Sequence, residues 1–372
     1  MKKVAIIANL PLWEADSRMQ SPQGEWHYCV WLSALCKALE QTEDLDIHWV
    51  VPNKSVKETR VINTRNQTFH LLPKARLTVG QLTGYVYDSY RVYQTLRRIN
   101  PDLVHSWGTE DSFSIAASHY RGKKLLSIQG LLKAYSKRAK LARFERWQAH
   151  YEPYTIRRFD YVTTESPWAA DRVREIVPNA NIFHLEYAVE ERFFSTQRQL
   201  TPTPYCLYAG TNAPVKNIPT LIKAFSSPAL SQVHLGLAGI RPDEYQSLPS
   251  NIHILGRLGR EELKMQLTKA WALVHPSLAD TGPTIAKEAR VMGLPVILTS
   301  DCGSKQHIAH GHSGYIVAPG DIEAIQKGVL HVTKSQETAL AMGEYGRQEC
   351  RHALSASTMI ENLLNIYQRI LS

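Results

Sequence analysis

The sequence predicts an α/β protein made of two parallel-sheet units that face each other across a cleft. Three observations lead there. Short, unbroken apolar runs alternate with helical patterns along nearly the whole chain, as in parallel sheets covered on both faces. The polar, proline-bearing segment STQRQLTPTP at 195–204 lacks periodicity and divides the chain into halves of similar size. The chain has 372 residues, more than the ~100–200 of a usual domain.

In the first half, apolar or β-branched runs predict strands at 4–9, 47–51, 103–106, 125–129 and 161–165. Helical spacing predicts helices at 24–39, 85–98 and 168–176. The opening MKKVAIIANLPLWEAD has basic residues and a short apolar run, but Pro11, Trp13 and Glu14 follow with no small-residue cleavage site. It is expected to be a buried strand rather than a secretory signal. In the second half, strands are predicted at 206–210, 233–238, 252–255, 272–275, 296–299 and 315–317. The last segment spaces Ile360, Leu363, Leu364, Tyr367, Ile370 and Leu371 as one apolar helix face, which needs a surface to cover.

Composition narrows the function. Hydrophobic residues at 44% and charged residues at 21% exclude disorder and collagen-like order. Lys+Arg 43 against Asp+Glu 34 gives +9, which favours an anionic partner without choosing one. Zinc-finger, RNP-type and helix-turn-helix patterns are not seen, so nucleic acid is not expected as a partner. The five cysteines are scattered with no C-x-x-C, which fits a reducing compartment better than a disulfide framework or zinc module. No apolar run approaches the ~18 residues of a bilayer span. A cytoplasmic protein is expected, with a peripheral place at the inner face of the membrane left open.

The most informative stretch is HPSLADTGPTIAKEARVMGLPVILTSD at 275–301. A strand ends near His275, a loop follows at 278–282, and Pro283 stands where a helix can begin. Gly293 stops that helix and Pro295 leads into the next strand. Asp280 lies on the loop and Glu288 about one turn past Thr284. A helix N-terminus offers unpaired N–H groups to a phosphate. Carboxylates accept hydrogen bonds from vicinal sugar hydroxyls. The arrangement suits a nucleotide sugar, with hexose toward Asp280 and ribose toward Glu288. Alone, these residues read as a turn former and a solvated helix residue. Their place at the C-terminal edge of a strand favours function.

This stretch, with GLPVI at 293–297 and SGYIVAPGD at 313–321, resembles glycosyltransferase family 4, the retaining group 1 enzymes of the GT-B fold. The resemblance covers essentially the whole chain. It implies two Rossmann-like domains, 1–194 on the acceptor side and 205–355 on the donor side, joined by a linker at 195–204, with helix 356–372 packing back on the first. The family carries two acidic residues separated by seven, usually both Glu. The first contacts the transferred sugar and the second the ribose. Here the first is Asp280, one methylene shorter, and the second is Glu288. Backbone between them, Gly282 to Ile285, would hold sugar and phosphate. Pro283 removes one N–H, leaving Gly282 and Thr284 as donors. In YAGTNAPVKNIPTLIKAF at 208–225, Lys216 matches the lysine that neutralises the donor diphosphate. Gly210 and Asn217 belong to the same donor loop. Thr211 replaces the usual Arg, which removes a bidentate phosphate contact. Arg257 or Arg260 could substitute.

The N-terminal matches are weaker. In QGEWHYCVWLSAL at 23–35, Gly24 matches a glycine that lets the backbone approach the leaving phosphate. A plain turn glycine before a helix is nearly as good a reading. Gln129 stands where many members have a His that contacts the donor sugar. His105, in PDLVHSWG at 101–108, is expected to be structural. Residues 121–146 are strongly basic, and Lys133, Lys137, Lys140, Phe144 and Trp147 repeat at spacings of four and three. On one helix they form a stripe suited to an anionic membrane or a phosphorylated acceptor. A solvated face with its aromatic end packed inward is the equal alternative.

The expectation is therefore a retaining transfer from a nucleotide-diphosphate sugar to a glycan or lipid-linked acceptor hydroxyl, in polysaccharide or glycolipid biosynthesis. Asp280, Lys216 and Glu288 carry the chemistry, with no cofactor and, in the absence of an Asp-x-Asp, no divalent metal. Two rivals remain: a catalytically weak GT-B protein that only binds nucleotide sugars, suggested by Thr211, Gln129 and Pro283, and a nucleotide-sugar 2-epimerase.

Overall fold

The structure, a computed structural model, describes residues 1–16, 29–109 and 112–372. Its first sheet contains β1 Lys2–Ile7, β2 Leu45–Asn53, β3 Arg60–Asn63, β4 Gln67–Pro73, β5 Leu103–Trp107, β6 Lys123–Ser127, β7 Tyr161–Thr164 and β8 Ile182–His184. Their order is β3-β4-β2-β1-β5-β6-β7-β8. All pairs are parallel except β3 with β4. The second sheet contains β9 Tyr205–Ala209, β10 His234–Ala238, β11 Ile252–Gly256, β12 Ala272–His275, β13 Val296–Thr299 and β14 Gly314–Val317. It runs β11-β10-β9-β12-β13-β14 and is fully parallel.

The central strands of each sheet are buried on both faces because they are apolar over most of their length rather than at alternate positions. In β1, Val4 and Ile6 enter one core with Leu32, Leu35 and Trp49, while Ala5 and Ile7 enter the opposite core with Val92, Leu96 and Ile156. In β9, Cys206 and Tyr208 face one core and Leu207 the other. Side chains of successive strand residues point to opposite faces, so one run of apolar residues feeds both.

The C-terminal helix Ala356–Leu371 covers the first sheet, not the second. Met359, Leu363, Ile366, Tyr367 and Ile370 are buried in the core that holds Val4 and Ile6. The Tyr367 hydroxyl lies 2.7 Å from His105 Nδ1, and His105 Nε2 lies 2.7 Å from the Ser127 hydroxyl. Burial lowers the His105 pKa to about 3, so this imidazole is neutral and serves as a buried structural link.

Two expectations need correction. The hairpin β3–β4 and the short β8 are strands that the apolar pattern does not reveal. β4 interleaves Gln67, Thr68 and His70 with Phe69 and Leu71. Gln67 is nonetheless buried, because it accepts from Trp49 Nε1 and donates to the Cys36 carbonyl at 2.9 Å. The basic stripe is also not one face. Helix Leu132–Ser136 ends, and a new helix, Arg143–Ile156, begins six residues past Lys137. Lys133, Lys137 and Lys140 therefore do not align with Phe144 and Trp147, since a shared face at that spacing requires an unbroken helix. Lys137 instead pairs with Glu175 at 2.9 Å.

The His105 link gives a stability test. Tyr367→Phe strips the imidazole of a buried partner and is expected to cost roughly 1–3 kcal/mol, read as a lower midpoint in urea unfolding with an unchanged slope.

Candidate active site

Strand order in the second sheet reverses between β9 and β12, which are hydrogen-bonded neighbours. Their crossovers leave in opposite directions, so the loops after their C-terminal ends diverge and open a crevice there. The loop after β9 carries Gly210, Thr211 and Lys216. The loop after β12 carries Asp280 to Pro283 and leads into the helix Thr284–Val291. A cavity of about 410 Å3 lies at this point. Trp31, Gln129, Glu165 and Tyr187 line it from the first-sheet side, and Gly210, Thr211, Lys216, Arg260, His275, Asp280 to Ile285 and Glu288 from the second.

Asp280 is the most tightly held of these. Its backbone bridges to the segment after β13, with Asp280 N–H donating to Asp301 O at 3.0 Å and Gly303 N–H to Asp280 O at 2.9 Å. Gly303 is required there: a Cβ would fall 1.7 Å from the Thr281 carbonyl oxygen. The Asp280 carboxylate accepts from Lys216 Nζ at 2.5 Å and lies 3.1 Å from His275 Nε2. Burial pushes its pKa up, but Lys216 and His275 outweigh burial and hold it well below the usual carboxylate range. Burial lowers the His275 pKa against the opposing pull of Asp280. His275 is thus a neutral ring that faces the carboxylate and Ser277 through Nε2.

Thr281 ties the two halves together. Its hydroxyl donates to the Gln129 carbonyl at 2.6 Å, and its own carbonyl accepts from the Ser166 hydroxyl at 2.8 Å. Past it, Pro283 occupies the position that caps the helix rather than its first turn. Among the described residues, the N–H groups of Thr284 and Ile285 have no protein acceptor and stand at the cavity wall. Glu288, one turn on, accepts from Arg260 Nη2 at 2.7 Å, and Arg260 also pairs with Glu190.

The structure thus gathers Gln129, Gly210, Thr211, Lys216, Asp280, Gly282, Pro283, Thr284, Ile285 and Glu288 around one cavity. Two expected donor residues are elsewhere. Arg257 is exposed and does not line the cavity, whereas Arg260 does. Asn217 adopts a left-handed conformation with φ 56° and links two loops, donating to Pro276 O and accepting from the Thr220 hydroxyl. Gly24 lies outside the described residues.

Sequence reasoning missed a buried ionic cluster on the first-sheet side. Lys287 Nζ donates to Glu165 at 2.6 Å and to the Tyr187 carbonyl at 2.9 Å, and lies 3.4 Å from Glu186. Burial lowers the Lys287 pKa, but the two carboxylates outweigh it and keep the ammonium charged. Burial also raises the Glu165 pKa, to about 7, against the pull of Lys287. On the Glu186 carboxyl, burial acts upward, and Lys287 and His307 more than reverse it. The available signals were the position of Glu165 at the end of a predicted strand and a lysine beside Glu288 in a helix that had to be buried.

Comparison with known proteins agrees with this geometry. Residues 190–349 match the family described as Glycosyl transferases group 1, and residues 30–186 match Glycosyltransferase Family 4. The chain belongs to the group 1 glycosyltransferases. It is 23% identical to N-acetyl-alpha-D-glucosaminyl L-malate synthase of Bacillus anthracis over 59% of its own length and only 62% of that relative's. Sucrose-phosphate synthase from Thermosynechococcus elongatus superposes on all of the chain with a TM-score of 0.79, covering 99% of that structure at 16% identity. Anabaena HepE in complex with UDP-glucose aligns over 99% of this chain and 100% of its own, with a TM-score of 0.72 and 14% identity. These likenesses establish the GT-B fold.

The ionic cluster has a stability consequence. Lys287→Met leaves Glu165 and Glu186 buried without their cation and is expected to cost roughly 3–5 kcal/mol, measured by urea unfolding near neutral pH. A loss below about 1 kcal/mol would mean that the two carboxylates do not depend on it.

Proposed function

We propose that this protein transfers a sugar from a nucleotide-diphosphate sugar to an acceptor hydroxyl with retention of the anomeric configuration, in polysaccharide or glycolipid assembly. One observation carries the reading. Lys216, two free helix N–H groups, Asp280 and Glu288 converge on a single cavity at the strand-order reversal. That set offers charge to a diphosphate and hydrogen-bond acceptors to a sugar at each end of it. The fold shared with HepE in complex with UDP-glucose supports a nucleotide sugar as donor.

In this reading the diphosphate takes over Lys216 and the N–H groups of Thr284 and Ile285. Asp280, relieved of its cation, turns to the hydroxyls of the transferred sugar. Glu288 accepts from the ribose. As the anomeric C–O bond breaks, negative charge grows on the leaving phosphate, and Lys216 and the helix terminus stabilise it. The acceptor oxygen bonds to the same face of the anomeric carbon, and its proton passes to the departing phosphate oxygen. Closure of the two units around the cavity limits attack by water.

A membrane-associated acceptor has support of its own, though not from the lysine stripe. Leu82 is 83% exposed, Val86 68%, Tyr90 60% and Trp147 40%. A Cβ at Gly84 would lie 3.5 Å from the Trp147 ring, so the turn between Leu82 and Val86 adjoins helix Arg143–Ile156. Exposed Arg76, Arg143 and Arg146 carry positive charge in the same segments. Apolar and aromatic groups bordered by arginines complement an anionic bilayer surface. Among the described residues, no helix is long and apolar enough to cross a membrane.

Turnover of UDP-, GDP-, ADP- and CMP-sugars, read as nucleotide release, tests the enzyme. A protein that only binds releases no nucleotide. Asp280→Asn is expected to lower kcat by roughly 10²–10³ without weakening affinity for the free nucleotide. Glu288→Ala is expected to weaken that affinity, measured by calorimetry, about tenfold or more. Equal turnover in the first variant and equal affinity in the second remove those roles.

The surface is tested by co-sedimentation with phosphatidylglycerol-containing and phosphatidylcholine vesicles. Binding is expected only to the anionic set and to be lost in Leu82→Glu/Val86→Glu. Recovery in the supernatant with both sets, or self-association driven by the same patch, removes the membrane from the reading.

A further inference from the structure

Three carboxylate residues line the cavity, and the reading above uses two of them. The third, Glu165, follows directly on β7 and comes from the first-sheet side. Its side chain is only 3% exposed. Lys287 holds one oxygen, Oε2, at 2.6 Å. The other oxygen, Oε1, has no protein donor among the described residues. Unlike Asp280 and Glu288, this carboxylate borrows its cation from outside the cavity wall, since Lys287 does not line it. A bound diphosphate therefore does not compete for that cation.

Its placement against the donor loop is equally specific. A Cβ built on Gly282 would lie 2.4 Å from Glu165 Cδ and 2.5 Å from Oε1. The carboxyl group thus rests on the backbone two residues past Asp280, where only a glycine leaves it room. The same loop is pinned from the first-sheet side by Ser166, the next residue, through the Thr281 carbonyl. Glu165 is held by a buried ammonium on one oxygen and by contact with Gly282. A group fixed in this way is suited to orient a ligand.

We propose that Glu165 is a further sugar-contacting residue, whose Oε1 accepts a hydrogen bond from a hydroxyl of the transferred sugar on the first-sheet side of the cavity. The inference rests on the glycosyltransferase reading. It adds a determinant of donor choice: a sugar with a hydroxyl at that position is favoured over its deoxy analogue, because a buried acceptor left without a donor is costly.

A pH signature follows. The groups that face Glu165 are Lys287 from helix Thr284–Val291, Glu186 with His184 and His307 beyond it, and Asp280 from the donor loop. Burial, Glu186 and Asp280 raise its pKa to about 7 against Lys287. The ionised form accepts from a hydroxyl better than the protonated form. Turnover is therefore expected to rise with pH through about 7.

The test uses the full chain and four donors, UDP-glucose, UDP-galactose, UDP-N-acetylglucosamine and GDP-mannose, with nucleotide release as the readout. For the donor that turns over, Glu165→Gln is expected to lower kcat/KM about 10–100-fold. It should remove the rise near pH 7 while binding free UDP or GDP as the wild type does. Glu165→Asp keeps an anion opposite Lys287 but withdraws it by one methylene. It is expected to lose part of kcat/KM and keep the pH rise, and it carries the test if the glutamine variant does not fold. Wild-type kcat/KM in both variants overturns the inference. So does a fall in UDP or GDP affinity that matches the fall in turnover, because that is the mark of a merely structural role. If the wild type releases nucleotide from none of these four donors, nor from the ADP- and CMP-sugars, the glycosyltransferase reading falls and this inference with it.

Discussion

Asp280 is buried at the C-terminal edge of a parallel sheet, and a buried carboxylate persists there only beside a cation. Lys216 supplies it, from a loop 64 residues earlier in the chain. The two loops can meet because β9 and β12 are neighbours across the strand-order reversal. The pair fixes several things together. It aims the lysine into the crevice and orients the loop that precedes helix Thr284–Val291. It also places a neutral His275 behind the carboxylate as a further donor. A diphosphate entering the crevice meets a cation already in position, at the cost of separating it from Asp280. That cost is recovered only by a ligand whose other end gives Asp280 new donors, as sugar hydroxyls do. Under the proposed function, this one ion pair would favour a whole nucleotide sugar over a bare diphosphate.

The contact between the two sheet-bearing halves obeys a similar rule. Behind the cavity, the contact contains Lys287 and Glu186 beside Glu165, all nearly inaccessible to water. Charges so placed add little net stability over a well-packed apolar wall, but they are severe about geometry. Gln306 donates across the same contact to the Glu165 carbonyl at 2.9 Å. A contact of this kind has few acceptable arrangements, which suits the single orientation that the proposed transfer requires of its substrates.

Much of this was legible in the sequence, and the rest was hidden for definite reasons. Unbroken apolar runs gave away eleven of the strands whose bounds the structure draws, since buried parallel strands carry the plainest pattern. β4 escaped because Gln67, Thr68 and His70 read as a polar loop until Trp49 and Cys36 supply partners. Asp280 and Glu288 stood out because a loop end and a helix start have local signatures, whereas Lys216 was read from the family resemblance, and the structure brings the three to one cavity. Glu165 and Lys287 did not stand out, because a buried ion pair 122 residues apart leaves no local mark. The basic stripe misled for the opposite reason. Its spacing was helical, but the chain breaks at 137–142, and periodicity alone does not reveal where one helix stops.

Thr211 raises the question of what neutralises the diphosphate where a guanidinium would ordinarily stand. Arg260 lines the cavity but is not fully available, since Nε and Nη2 are committed to Glu190 and Nη2 also serves Glu288. A guanidinium has five N–H donors, and these contacts leave the two on Nη1 free of any protein acceptor among the described residues. Arg260 can therefore hold Glu288 in place for the ribose and still present one edge to a phosphate oxygen. This is a narrower contact than the bidentate grip that a dedicated arginine provides. The burden passes to Lys216 and to the N–H groups of Thr284 and Ile285. In the proposed reaction these groups act on the charge that grows on the leaving phosphate in the transition state. Under the proposed function, threonine in place of a permanent guanidinium is expected to weaken ground-state affinity more than turnover.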